Sequence, residues 1–166
     1  MSEKVIIGVV GPGDGARQET EAAAYDLGQR VAREGWILLT GGRNAGVMDA
    51  ASRGAKAAGG LTVGILPGRD SSTRSAAVDI PIVTDMGSAR NNINVLSSHL
   101  LIVCGMSPGT ASEVALALKA GRAVIFIAAG KETRRFFSGL APEGVFFAED
   151  PAQAVEIAKS LLPRSR

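Results

Sequence analysis

Aromatic side chains are scarce in this chain, at 4% of 166 residues. Binding sites for single-stranded nucleic acid combine aromatic platforms with a basic stripe, and the sequence shows neither. Its 18 basic and 16 acidic residues leave a net charge of only +2. The basic residues are scattered, apart from a modest cluster at Lys131, Arg134 and Arg135. A small anion therefore suits the chain better than a polymer, and no nucleic-acid partner is expected. There is one cysteine, Cys104, so no internal disulfide can form, as fits a reducing compartment. There is one histidine, His99, and no Cys/His spacing of the metal-binding kind, so no metal site is expected. No apolar run approaches the roughly 20 residues of a membrane span. Met1-Ser2-Glu3-Lys4 runs straight into Val5, and the run that follows is too short for a signal-peptide core. The expectation is a cytoplasmic protein with no membrane contact. The dinucleotide fingerprint GxGxxG is absent after the first apolar run, and so is the Walker phosphate loop.

Glycine, by contrast, is abundant, with 21 residues clustered at the ends of apolar runs. There the backbone must turn sharply or approach a ligand closely. The core must be built from Val, Ile, Leu and Ala, which suits a parallel sheet covered by small-residue helices. One domain is expected over residues 1–166.

Val5 to Val10 reads as a strand buried on both faces. Gly11-Pro12-Gly13-Asp14-Gly15 breaks it. Glu19 to Glu34 carries Ala24, Leu27 and Val31 on one helical face, and Gly35 stops it. Ile37–Thr40 is a strand, Val47–Ala58 a helix, and Leu61–Leu66 a strand ended by Pro67-Gly68. Arg69 to Ala77 reads as an exposed loop. Ile80–Val83 is a short strand that Pro81 confines to an edge or an irregular pairing. Ser88 is placed to cap a helix from Ala89 to Ser97. Leu100–Cys104 is a strand, Thr110–Ala120 a helix, and Ala123–Ala128 a strand. Gly130 to Gly144 reads as a loop or partial helix, and Val145–Phe147 as a last strand. Asp150-Pro151 opens a final helix, with an N-cap followed by proline. This alternation predicts an α/β, Rossmann-like doubly wound sheet, mostly parallel, with helices on both faces.

Two strand–turn–helix units stand out. Gly41-Gly42-Arg43-Asn44-Ala45-Gly46 follows one strand, and Ser107-Pro108-Gly109-Thr110-Ala111-Ser112-Glu113 follows another. In open α/β sheets ligands bind at the carboxyl ends of strands, and helix N-termini attract anions. Gly41 to Gly46 reads either as a phosphate turn to which Arg43 adds charge, or as a tight turn alone. Thr110 and Glu113 have the spacing of a capping box. In the alternative, Gly109 and Thr110 hold a phosphate while Glu113 handles a proton or a cationic sugar. Arg90, at a predicted helix start on the ligand side, is either a ligand contact or a solvated side chain. Asn91, Asn92 and Asn94 cannot all be buried, so some face a site or solvent. Cys104 reads as a small buried residue rather than a nucleophile.

Several segments occur together in the order of one family. They are Thr40 to Ala50, Gly64-Ile65-Leu66-Pro67, Met86-Gly87-Ser88-Ala89-Arg90-Asn91 and Gly109-Thr110-Ala111-Ser112-Glu113. The chain resembles the Rossmann-like "lysine decarboxylase-like" group, which includes the LOG phosphoribohydrolases and a molybdenum cofactor carrier-like branch. Ala89 to Ser98 is more similar to the carrier-like branch. The resemblance implies catalytic roles for Arg90 and Glu113. It matches Gly109 and Thr110 to the family's phosphate element, and Gly11, Gly41, Gly42, Arg43, Gly46, Met86 and Asn91 are expected to hold the ligand with them. It also implies a homodimer or higher homo-oligomer.

The hydrolases carry a PGGxGTxxE motif, and an Arg-Lys pair precedes it. Here Met106-Ser107 replaces consecutive glycines, Pro108 fills the variable position without an N–H, and Asn91 replaces the lysine. Three readings follow. One is a binder of a nucleotide or pterin phosphate, with no required cofactor and the molybdenum cofactor as a carried ligand. Another is a hydrolase that cleaves the N-glycosidic bond of a nucleoside 5′-monophosphate. The last is an interaction module with a vestigial pocket. Binding is favoured over catalysis.

Overall fold

A computed structural model describes residues 4–162. Residues 1–3 and 163–166 lie outside the described residues, so the expected domain and the reading of the first residues extend beyond them. Seven strands form one sheet in the order β4-β3-β2-β1-β5-β6-β7. They are β1 (Ile6–Val10), β2 (Ile37–Thr40), β3 (Thr62–Leu66), β4 (Ile80–Val83), β5 (Leu100–Cys104), β6 (Val124–Ile127) and β7 (Val145–Ala148). Every pairing is parallel. The chain winds outward from β1 to β4, then returns to β5 beside β1. The switch point therefore lies between β1 and β5, where a crevice opens at the strands' carboxyl ends.

The strands are buried on both faces. Leu100, Ile102 and Cys104 of β5 pack with Ile125 and Ile127 of β6 on one side. Leu101, Val103, Val124 and Phe126 pack on the other. Helices α1 (Gln18–Arg33), α2 (Gly46–Ala57) and α6 (Pro151–Leu161) cover the first side. Helices α3 (Asn91–Leu96), α4 (Pro108–Lys119) and α5 (Lys131–Leu140) contribute Val95, Val114, Ala117 and Phe137 to the second. Helices α1 and α2 cross at Gly28 and Gly54, where a Cβ on either would strike a backbone carbonyl of the other helix. Small residues thus set the interhelical distance.

The α/β expectation holds, and the sheet is wholly parallel. β4 is the edge strand that Pro81 predicted. Asp150 caps α6 by accepting from the Gln153 N–H at 2.8 Å, with Pro151 in the first turn. One reading needs correction. Residues 89–97 do not form one helix capped by Ser88. A 3-10 turn at Gly87–Arg90 leads into a short α3, with no side-chain cap at either start. The chain enters this segment through Asp85 and Gly87, both at positive φ, and bends too tightly for an α-turn. The partial helix offered for Gly130 to Gly144 is α5, seated by Phe137 and followed by loop. Arg69 to Ala77 is the exposed loop expected, apart from Ser75 and the half-buried Ala77. Ser75 is buried, its N–H donating to the Gly42 carbonyl (2.9 Å) and its hydroxyl to Asp49 (2.6 Å). This loop is thereby fastened to the Gly41–Gly46 turn. Among the described residues, no helix is long and apolar enough to cross a membrane.

Candidate functional site

A cavity of about 470 Å³ opens at the switch point. Its walls come from the end of β1 (Val9 to Asp14), the turn after β2 (Gly41, Arg43, Met48) and Pro67 after β3. Gly87, Ser88, Arg90 and Asn91 close another side, and the start of α4 adds Ser107, Gly109, Thr110 and Glu113. Gly11, Gly41, Arg43, Arg90, Asn91, Gly109, Thr110 and Glu113, separated by up to 102 positions in sequence, thus share one crevice. Gly42, Gly46 and Met86 lie outside that lining. Gly42 packs against Gly64, and Gly46 packs on the Pro12 and Gly13 carbonyls. Met86 is exposed.

Two glycines shape the crevice by lacking a Cβ. At Gly11 a Cβ would strike the Cys104 carbonyl, so β1 and β5 could not close up as they do. At Gly41 it would lie 2.5 Å from Arg90 Nη1. The turn after β2 does not present a fully open helix end, because the Val47 N–H donates to the Pro12 carbonyl at 3.0 Å. What that turn brings to the cavity is Arg43, which pairs with Asp14 at 2.9 Å.

Arg90 is not a solvated side chain. It is 9% exposed and donates through Nη1 to the Ile65 carbonyl at 2.7 Å. Its buried Nε has no partner. Burial pushes its pKa down and the nearby Arg43 acts in the same direction, while Glu113 opposes both. Glu113 is also 9% exposed. Burial pushes its carboxyl above the usual range, opposed by a hydrogen bond from Asn94 and the charge of Arg90. Asn94 Nδ2 donates to Glu113 Oε1 at 2.8 Å. Asn91 turns to the Ser112 hydroxyl (2.8 Å), and Asn92 is exposed.

The capping-box reading of Thr110 and Glu113 fails. Ser107 is the N-cap of α4, accepting from the Thr110 N–H at 3.2 Å, and its hydroxyl also meets the Thr110 hydroxyl at 2.8 Å. Glu113 is turned instead toward Asn94. Met106 lines a separate small hollow with Phe126 and Thr133 and leaves the crevice clear. Cys104 is buried, and burial pushes its thiol up to about 12. His99 sits at the far end of β1, its Nδ1 accepting from the Ile6 N–H at 3.1 Å. Among the described residues, no group of three or more His, Cys, Asp or Glu side chains is placed to hold a metal ion.

Sequence reasoning missed Asp14 and the roles of Asn94 and Ser107. Asn94 was signalled by the asparagine cluster, and Ser107 by the proline that follows it. Nothing local marked Asp14.

A parallel doubly wound sheet with a crevice of paired arginines and carboxyls at its switch point defines a Rossmann-like α/β protein. The chain belongs to the SLOG cluster4 family, whose model matches residues 4–155. It is similar to the molybdenum cofactor binding protein of the phototrophic bacterium Rippkaea orientalis. That structure has a TM-score of 0.96 at 51% identity, covering 98% of this chain and 100% of that one. The molybdenum cofactor carrier protein of Chlamydomonas reinhardtii has a TM-score of 0.91 at 51% identity, over 96% and 98% of the two chains. A cytokinin riboside 5′-monophosphate phosphoribohydrolase of Mycobacterium tuberculosis is 35% identical over 95 residues. That match spans 55% of this chain and half of the enzyme.

Proposed function

We propose that this chain binds the molybdenum cofactor, a phosphate-bearing pterin, and holds it as cargo in the switch-point crevice. The observation that carries this reading is Arg90, a buried guanidinium facing the crevice with an unpartnered Nε. A buried donor without an acceptor is costly, and an anionic ligand relieves that cost. The rest of the site fits. A crevice of about 470 Å³ is of ligand size. Val9, Val10, Met48 and Pro67 give it apolar wall for a ring, and Arg43 gives a second cation. The two carrier-type relatives, alike over nearly the whole chain, support the same reading. No resident cofactor is required for such a role. The exposed Ile80, Ile82 and Val83 on edge strand β4 support a homo-oligomer, which light scattering of the purified protein tests.

The test is anaerobic incubation with isolated molybdenum cofactor, followed by gel filtration and quantification of retained molybdenum and pterin. Co-elution near one equivalent, lost in Arg90→Met, is the expected result. Elution of the folded protein without pterin refutes the proposal.

A second reading, phosphoribohydrolase activity, is favoured by Glu113, a cavity carboxyl that burial biases toward the proton-holding form. Against it stand Asn91 in place of a lysine and Ser107, which engages both the N–H and the hydroxyl of Thr110. Release of base from nucleoside 5′-monophosphates, abolished in Glu113→Gln, would establish it. An absence of both binding and turnover would leave the vestigial module.

A further inference from the structure

We propose that Glu113 takes up a proton from solvent when the phosphate-bearing ligand binds, and that Asn94 is the positioning residue that accommodates both forms of the carboxyl. This inference rests on the binding role proposed above and concerns how that site is regulated.

The charges in the crevice motivate it. Arg43 and Arg90 face Asp14 and Glu113, so the ionised groups sum to zero. A phosphomonoester adds about −1.5 to −2 at pH 7. Asp14 is 79% exposed, and water screens it. Glu113 is 9% exposed and has no such relief. Once Arg90 pairs with the ligand phosphate, its attraction no longer favours the Glu113 carboxylate. Burial already acts toward the neutral acid. The excess negative charge is therefore removed at Glu113, by forming one O–H bond with a proton from the buffer.

Asn94 is built to follow that change. It is 2% exposed, with Nδ2 on Glu113 Oε1 and Oδ1 without any partner. A half-turn of the amide presents Oδ1 to a protonated Glu113 and sends the NH₂ group to the unpartnered side. One end of the amide is unpaired in either orientation. Its orientation is therefore decided at Glu113 alone: N–H toward a carboxylate, C=O toward an acid. The other groups around Glu113 are Arg90 from the 3-10 turn, Arg43 and Asp14 from the turns after β2 and β1, and Thr110 of α4. The strands beneath α4 present apolar side chains. His99 lies at the opposite end of β1.

Calorimetry of the whole protein with isolated molybdenum cofactor, in buffers of different ionisation heat between pH 6 and 8.5, tests the coupling. The expected result is uptake of up to one proton per ligand, and an affinity that falls by up to tenfold per pH unit. Glu113→Gln, with its folding checked by melting, abolishes the uptake and binds more tightly than the wild type at pH 8.5. Asn94→Leu removes the bond that holds the carboxylate in the unliganded protein, so the onset of the fall in affinity, set by the unliganded carboxyl, moves to higher pH. A purely structural Asn94 would instead weaken binding equally at every pH. Uptake that persists in Glu113→Gln belongs to the ligand's own phosphate and overturns the proposal. Binding without uptake overturns it while the carrier reading stands. No binding by the wild type removes both.

Discussion

Arg90 Nη1 donates to the carbonyl of Ile65 at 2.7 Å, tying the side chain after β4 to the carboxyl end of β3. The guanidinium is thus held against the crevice wall before any ligand arrives. Arg90→Lys keeps the charge but not the planar fork or the Nε donor. Ligand affinity is expected to fall by about 1.4–2.8 kcal/mol, roughly ten- to a hundredfold. Equilibrium binding alongside a melting curve separates this loss from unfolding.

Ser107 occupies the position where the hydrolase pattern has glycine. Ser107→Ala removes the cap of α4 and is expected to cost about 1 kcal/mol, whereas Ser107→Gly costs only a few tenths. The glycine variant also releases the Thr110 N–H and hydroxyl. Inorganic phosphate should bind it more tightly than the wild type, a difference that phosphate-dependent shifts in melting temperature will read.

Two glycine substitutions should behave differently. In Gly41→Ala the new Cβ meets the ends of two side chains, Arg90 Nη1 at 2.5 Å and Met48 Sδ at 2.7 Å. Stability should drop by about 1 kcal/mol, with a larger relative loss of ligand affinity. In Gly11→Ala the Cβ meets the Cys104 backbone, and the cost should be about 3 kcal/mol. Urea unfolding of both variants makes the comparison.

Glu113 carries a stability signature that needs no ligand. Its folded pKa is raised, chiefly by burial, above the ordinary 4.5. Between that value and the folded pKa, the native state binds more protons than the unfolded chain, so stability falls as pH rises through this window. Glu113→Gln should therefore melt higher than the wild type at pH 8, and the gap should close below pH 4.5.

Cys104 provides a check on the core beneath the site. A thiol pushed up to about 12 and 2% exposed should resist alkylation at pH 8 until the protein unfolds. Rapid labelling of the native state would contradict the packing of β5 between its two helical layers.

Residue periodicity and punctuation carried the fold a long way. The continuous apolar runs of β1, β5 and β6 are legible because a parallel sheet buries both faces. Asp150-Pro151 marked a helix start because a cap and a fixed φ are local chemistry. The 3-10 turn at Gly87–Arg90 was not legible in the same way. Its cause is a bend through Asp85 and Gly87, and the sequence there supports a longer helix equally well. The seat of Ser75 on Asp49 and Gly42 was hidden too, because a serine-rich segment carries no sign of its distant partners.

The sequence by itself determined the alternation of strands and helices, the confinement of β4 to an edge or an irregular pairing, and the chemistry gathered after β2 and β5. These depend on neighbours within a few residues, where sterics, capping and hydrophobic period decide. Only the tertiary structure decided how each group is used. It turned Glu113 from a helix cap to a partner of Asn94, gave the cap to Ser107, buried Arg90 on Ile65 and set Asp14 against Arg43. Those outcomes depend on which elements meet at the switch point, and pairings between residues 19 to 29 positions apart are fixed by packing rather than by local preference.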